Sequence, residues 1–425
     1  MSTNSQSRTL DQWLSVIEAA HPAEIELGLE RVRAVAEKLA LIDGWNCPIV
    51  TLAGTNGKGS TQAFMRSICT EQGYQVGCYS SPHFLRYNER VTLNGEPADD
   101  QSLCQAFDAI DQARESLGLS LSYFEVGTLA ALWLFRQWQP DLILLEVGLG
   151  GRLDAVNIID PDVAVITTVA LDHQDWLGND RETVGFEKAG ILRPGIPMVY
   201  GEVSMPDSVR QRATELGCTI HHWGEQFGPR DGVENWSWYG LNVTGEQQEY
   251  PCLPSVRLPF ENASTALQAL ALLPLSFSPF AIVQGLKQAS LTGRRQQLVV
   301  DGRELLLDVA HNPHAAHYLA STLPPIDGQS FCVLGMLADK DCSETISELL
   351  PLVDHWLLAG LSGPRGLSAD ALQEALPEKA RADALRFDTP WQACQAALRQ
   401  SNRGDRILVL GSFHTVADIL AQLQP

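Results

Sequence analysis

Residues Val50-Thr51-Leu52-Ala53-Gly54-Thr55-Asn56-Gly57-Lys58-Gly59-Ser60-Thr61 constrain this chain more than any other stretch, because a β-branched, apolar run empties into a glycine-rich turn carrying a lysine and hydroxyls. A strand, a tight turn and a helix are the economical reading, and that unit belongs to an α/β sheet. Glycines let backbone N–H groups converge on an anion, Lys58 neutralises charge, and a hydroxyl can hold Mg²⁺ beside a nucleotide phosphate. Gly59 stands after the lysine, where such loops usually carry Ser or Thr, so Ser60 and Thr61 are the substitutes. Gly54, Thr55, Asn56, Gly57, Lys58, Gly59, Ser60 and Thr61 are therefore the candidate phosphate contacts. The plain alternative is an ordinary glycine-rich turn between strand and helix.

The surrounding pattern supports an α/β fold. Leu10 to Ala40 is amphipathic with a break near His21-Pro22, and Cys47 to Leu52 reads as the strand before the loop. Ser60 to Cys69, Asp99 to Leu117 and Phe124 to Trp138 read as helices, and Val76 to Tyr79, Leu142 to Val147 and Val163 to Thr168 as buried strands. His221 to Pro259 is Trp- and Gly-rich with short alternating pieces, which predicts an antiparallel excursion; helices follow at Asn262 to Leu272 and Pro279 to Gln288. A second unit begins near Gln297, with strands at Leu298 to Val300, Glu304 to Asp308, Phe331 to Leu334, His355 to Leu358 and Ile407 to Leu410. The expected architecture is thus a P-loop ATPase-like domain over 1–295, with a mostly parallel sheet and a small antiparallel excursion. A Rossmann-like α/β domain over 296–425 follows, and the Arg294-Arg295 region serves as linker or interface.

Composition narrows the function classes. A chain of 425 residues with 45% hydrophobic content can bury large cores. Its formal net charge of -21, without a basic tract, disfavours nucleic-acid binding. Leu142 to Leu145 and Ala269 to Leu273 are far too short to span a membrane, and Met1 to Asp11 lacks the pattern of a secretory signal. Nine cysteines without a Cys-x-x-Cys pair predict free thiols, no structural zinc site and a cytoplasmic setting. Without coiled-coil heptads or an assembly motif, a monomer is expected.

Polar residues at the carboxyl ends of strands carry the remaining candidates, since that is where ligands bind in such sheets. Glu146 ends one strand and is a metal-ligand candidate, or else a turn residue in a salt bridge. His173 follows another, as a ligand or a hydrogen-bonding residue; Asp172 either orients its imidazole or caps the next helix. In Tyr79-Ser80-Ser81-Pro82-His83-Phe84-Leu85-Arg86-Tyr87-Asn88-Glu89-Arg90, Ser81 would lie near a metal, with Glu89 and Arg90 fixing the loop, unless this is only a surface loop. Lys188, in Gly185-Phe186-Glu187-Lys188-Ala189-Gly190, reads by itself as an ordinary exposed amine at a helix end. In the second unit, Asp308-Val309-Ala310-His311-Asn312-Pro313-His314 suits a substrate or nucleotide contact better than zinc, with an Asx-Pro turn as the alternative. Gly411-Ser412-Phe413-His414 could line the same crevice.

In their order and number these segments resemble the folylpolyglutamate synthase and dihydrofolate synthase family of the Mur ligase superfamily. The resemblance rests on Leu52 to Ser60, Ser80 to His83, Tyr87 to Arg90, Glu146 to Asp154, Leu171 to His173, Glu187 to Gly190, Gly293-Arg294 and Asp308 to Pro313. It implies an ATP-dependent amide ligase and accounts for the displaced hydroxyl of the loop. It further implies that Lys58 and the loop amides hold ATP, and that Ser60, Ser81, Glu146 and His173 organise two Mg²⁺ ions. Lys188 resembles a lysine that is carbamylated by carbon dioxide or bicarbonate, which replaces the ordinary-amine reading. Asn262, Arg294, Asp308 and His311 would contact nucleotide, and Ser412 and His414 would line the glutamate or the closure surface.

The family includes ligases that only extend folates with L-glutamate and bifunctional enzymes that also join L-glutamate to dihydropteroate. Ser122-Tyr123-Phe124-Glu125 and Asp172 to Gly178 resemble the bifunctional bacterial type. Phe124 would stack on a pterin ring, Asp154 and Ala155 would meet its polar edge, and His83, Arg86 and Ser122 would complete the substrate side. Ser122 stands where the family more often has Thr. The competing readings are a monofunctional folylpolyglutamate synthase, another Mur-type amino-acid ligase, and a non-enzymatic ATP-dependent switch.

Overall fold

The computed structural model describes residues 8–20, 26–230 and 236–423, so the expected break near His21-Pro22 lies outside the described residues. The chain forms two compact units, one of residues 1–171 and 177–289, the other of 172–176 and 290–425.

In the first unit, strands β1 (Ile49–Ala53), β2 (Val76–Tyr79), β3 (Val91–Leu93), β4 (Glu96–Pro97), β5 (Leu142–Glu146), β6 (Val163–Ile166), β7 (Pro197–Tyr200) and β8 (Thr219–His222) form one sheet in the order β4-β3-β2-β5-β1-β6-β7-β8. All pairings from β2 to β8 are parallel, while β3 and β4 add an antiparallel edge. The inner strands β1, β2, β5 and β6 are buried at every position, as unbroken apolar runs covered by helices on both faces must be. β1 lies between β5 and β6; the chain runs from β1 to β2 on one side of it, whereas β5 leads across to β6 on the other. Such a switch in strand order opens a crevice where ligands bind.

The strand before the loop starts at Ile49 rather than Cys47, after Pro48, whose ring leaves no N–H for a ladder. The antiparallel excursion is a three-stranded sheet of β9 (Gly228–Arg230), β10 (Trp236–Leu241) and β11 (Gln247–Leu253) in the order β11-β10-β9. It begins later than the sequence suggested, because His221 and His222 end β8 of the main sheet. Trp236 and Trp238 are fully buried along β10, which anchors the small sheet to the core.

In the second unit, β12 (Gln296–Val300), β13 (Arg303–Leu307), β14 (Ser330–Leu334), β15 (His355–Ala359), β16 (Leu385–Phe387) and β17 (Arg406–Leu410) form a sheet in the order β12-β13-β17-β14-β15-β16. Only β12 is antiparallel to its neighbour. The short, mostly exposed β16 has no apolar run of its own, which is why the sequence gives no sign of it.

Candidate active site

The loop after β1 is built by the sequence in the manner its glycines require. Gly57 adopts φ 89° as the residue before the helix Lys58–Gln72. A Cβ there would lie 2.5 Å from Asn262 Oδ1, so only glycine lets the loop pass this close to the helix Phe260–Ala271. Lys58 Nζ donates to the Gly54 carbonyl at 2.7 Å, curling over the turn. The loop is tied to the segment after β6: Thr55 N donates to Thr168 O at 2.9 Å, and Asn56 N to Thr168 Oγ1 at 3.0 Å.

Ser60 is buried in the first helical turn. The next residue, Thr61, has a fully buried side chain, and its amide donates to Gly57 O at 2.9 Å as part of the first helical turn.

Glu146 ends β5 in register with Leu52 of β1, and Ser81 follows β2, which pairs with β5 on its other side. Ser81, Glu146 and the phosphate loop therefore issue from the carboxyl ends of three neighbouring parallel strands. Glu146 is only 6% exposed, an uncommon place for a carboxylate without a task. Among the described residues no group of three His, Cys, Asp or Glu side chains gathers to hold a metal. The donor set of hydroxyls and one carboxylate is hard, oxygen-based and sparse, which suits Mg²⁺ that keeps water and phosphate in most of its coordination positions.

A second cluster forms beside it. Phe124, in the first turn of the helix Tyr123–Trp138, packs its ring 5.8 Å from that of Tyr79, and a Cβ on Gly148 would strike it at 2.7 Å. Asp154 is buried there and accepts from the amides of Gly148, Leu149 and Val156 at 2.9, 2.9 and 3.0 Å. Burial raises its carboxyl to about 6, against those three amides and Lys58. Ala155, also buried, follows it.

Glu89 organises the 81–90 loop by accepting from the amides of Phe84, Leu85 and Arg86, and Arg90 Nε donates to His83 Nδ1 at 2.8 Å. Burial first, then the Arg90 charge, pushes the His83 imidazole down to about 4. Arg86 is exposed and pairs with Asp100 at 2.7 Å. The buried Ser122 hydroxyl caps the helix, accepting from Glu125 N at 3.3 Å while Glu125 accepts from Ser122 N at 2.7 Å. This is a capping box, which makes Ser122 first a structural residue.

Residues 293–413 match the Mur ligase, glutamate ligase domain family. The dihydrofolate synthase/folylpolyglutamate synthase of Escherichia coli (strain K12) is 44% identical over 421 residues, covering 98% of this chain and 96% of that protein. The chain belongs to the dihydrofolate synthase/folylpolyglutamate synthase family. Among solved structures, E. coli FolC in complex with DHPP and ADP superposes with a TM-score of 0.92 at 43% identity, covering 99% of both chains. A bifunctional folylpolyglutamate synthase/dihydrofolate synthase with Mn, AMPPNP and L-glutamate bound gives 0.90 at 45% identity, covering 99% of this chain and 100% of that one. The fold is that of a two-domain Mur ligase.

Within this family fold, the motifs of the second unit converge at the adjacent carboxyl ends of β13 and β17. Asp308 accepts from the amides of Arg295 and Ala310, both at 2.9 Å; Val309 N donates to Gly293 O, and Gly411 N to Ala310 O, both at 3.0 Å. Burial raises the Asp308 carboxyl, opposed chiefly by Arg294. The Arg294 guanidinium lies 4.9 Å from the Phe413 ring centroid. Ser412 is buried and accepts from Thr415 N at 3.0 Å, which commits its hydroxyl to starting the helix Phe413–Leu423, whereas His414 is exposed.

Residues 172–176 pack with this second unit. His173 has φ 51°, left-handed for a residue with a side chain. Asp172 does not bond its imidazole, which lies 4.0 Å away; it pairs instead with Lys340, and with His311 Nε2 at 3.3 Å. Burial would raise the Asp172 carboxyl, but the His311 hydrogen bond and charge, with Lys340 and His173, hold it well below the carboxylate range.

Lys340 was not a candidate from sequence, since in Asp339-Lys340-Asp341 a lone cation between acids reads as solvated surface. Its side chain is only 5% exposed. The available signal was its place after β14, at the carboxyl end of a parallel strand. Lys188 is likewise buried, at 3%, which overturns its reading as an exposed amine.

Proposed function

We propose that this chain is an ATP-dependent carbon–nitrogen ligase that joins L-glutamate to dihydropteroate and also extends reduced folates with L-glutamate. The observation that carries the reading is the convergence of the Gly54–Ser60 loop, Glu146 and Ser81 at three neighbouring strand ends of the first unit. The named complexes of its relatives, with ADP and DHPP or with Mn, AMPPNP and L-glutamate, support the same substrates.

In this reading the loop amides and Lys58 hold the ATP phosphates, while Asn262, Arg294, Asp308 and His311 recognise the rest of the nucleotide. Phe124, Asp154 and Ala155 form the pterin surface, His83, Arg86 and Ser122 flank it, and Ser412 and His414 serve glutamate. A substrate carboxylate oxygen attacks the γ-phosphorus as the bond to ADP breaks, and Lys58 offsets the charge spread over the transferring group. The glutamate amine then attacks the acyl carbon, inorganic phosphate leaves, and the amine loses its proton to give the amide. Ser60, Ser81, Glu146 and His173 would hold two Mg²⁺ ions, whose chemistry is to neutralise phosphate charge. Lys188, as a carbamate, would contribute a carboxylate from a buried helix position.

The functional division is placed near residue 295. We assign the protein to the cytoplasm, where its nine free thiols would stay reduced, and expect a monomer. Lys58→Met and Glu146→Gln should each abolish ADP release that depends on dihydropteroate. Near-normal turnover in either variant would reject the assignment.

A further inference from the structure

The segment Thr167 to Ala170, which follows β6, has two edges, and each is held by a different part of the first unit. One edge faces the phosphate loop. Thr55 Oγ1 donates to Ala170 O at 2.9 Å and accepts from Ala170 N at 3.0 Å, a reciprocal pair on one residue. Thr167 Oγ1 donates to Asn56 O at 2.6 Å, in addition to the two bonds described above that Thr168 accepts from the amides of Thr55 and Asn56.

The peptide groups of Val169, between those contacts, turn to the other edge. There Arg181 Nε donates to Val169 O at 2.8 Å, and Val169 N donates to Glu202 Oε2 at 3.2 Å. The two side chains also pair with each other, Arg181 Nη2 to Glu202 Oε2 at 3.3 Å.

The pair is itself held. Arg181 reaches Ser204 Oγ at 3.0 Å and Ser204 O at 2.8 Å, and the Tyr200 hydroxyl lies 3.2 Å from Glu202 Oε2 and 3.0 Å from Ser204 O. Tyr200 is fully buried at the end of β7, so the carboxylate has a rigid base. An exposed ion pair alone would be worth little. Two charge-assisted bonds to one residue's backbone are a different matter, because they fix the position of a main-chain segment.

We propose that Arg181 and Glu202 are positioning residues for nucleotide binding: they clamp Val169, and through Thr168 and Ala170 set where Thr55 and Asn56 of the phosphate loop stand. The inference rests on the loop being the nucleotide site. It also assigns work to the helix Arg181–Ala189 at both ends, with Arg181 at its start and Lys188 in its last turn.

The test is titration of Mg·ADP into the full-length protein by calorimetry, with the Michaelis constant for dihydropteroate and the thermal midpoint measured alongside. Arg181→Met should raise the ADP Kd about tenfold (~1.4 kcal/mol), with Arg181→Lys in between, while the dihydropteroate constant changes less than about twofold. Thr55→Val should weaken ADP binding similarly, and the double variant should be no weaker than the worse single one, since both act through the same segment. Additive losses, or an unchanged Kd in Arg181→Met, would overturn the clamp. Lys58→Met separates the two ideas: if it abolishes ADP binding while Arg181→Met leaves the Kd unchanged, the clamp alone fails; if it binds ADP normally, the nucleotide reading falls and the clamp with it. Should Arg181→Met not fold, Glu202→Gln paired with Thr55→Val decides the question by the same test of additivity.

Discussion

The helix Lys58–Gln72 offers a matched pair of substitutions, because left-handed glycines flank both of its ends. Gly57 precedes it with φ 89°, and Gly73 follows it with φ 97°. Alanine at either position must adopt a left-handed backbone, at about 1–2 kcal/mol. A Cβ on Gly73 meets nothing within 4 Å, whereas one on Gly57 would lie 2.5 Å from Asn262 Oδ1 and 3.1 Å from its Cγ. That is roughly 1 Å short of an ordinary ~3.5 Å contact. Either Asn262 or the phosphate loop must move by about that much, and a displacement of ~1 Å at reacting groups can cost about a hundredfold in rate. Urea unfolding should therefore find both variants less stable by about 1–2 kcal/mol. ADP release should fall about a hundredfold in Gly57→Ala and hardly at all in Gly73→Ala. Equal activity in the two variants, or equal loss, would refute the claim that the crowding at Gly57 shapes a working site.

Three further outcomes follow from the same contacts. Because burial raises the folded-state Asp154 carboxyl from 3.8 to about 6, its contribution to stability is full below pH ~4 and declines as the pH rises through about 6, by ~3 kcal/mol at 1.36 kcal/mol per unit. Asp154→Asn should remove that stretch of the pH–stability profile, and an unchanged profile would contradict it. Lys340→Met leaves the Asp172 charge in place with His311 as a remaining partner, so urea unfolding should show a loss of about 3 kcal/mol, the lower end for breaking a buried pair. Wild-type turnover should fall when carbon dioxide and bicarbonate are stripped and recover on their return; Lys188→Met should be slow and indifferent to both, and an indifferent wild type would reject a carbamylated Lys188.

The sequence was most informative where chemistry needs residue types that folding alone does not. A glycine–lysine–hydroxyl turn after a β-branched strand has few other uses, and the structure opens the helix at Lys58 with Gly57 in the left-handed conformation. Strand ends were legible because fully buried parallel strands read as unbroken apolar runs, as in Leu142–Glu146. Other features depended on contacts far along the chain. Burial of Lys188 and Lys340 is decided by neighbours distant in sequence, and a lone lysine looks the same in either environment. The capping role of Ser122 was legible too, since Ser-x-x-Glu before an apolar run is a capping signature. Thr61 shares the motif of the loop, yet the helical turn buries its side chain, which residue types alone do not show.

The central claim is tested most directly by following ADP release and product mass with ATP, Mg²⁺, bicarbonate and L-glutamate, offering dihydropteroate in one reaction and a reduced folate in the other. The account predicts ADP release with both, and in each case a product heavier by one or more glutamyl residues. Extension of the folate alone would contradict the bifunctional reading, and ADP release with neither substrate would contradict the proposed folate–glutamate ligase activity.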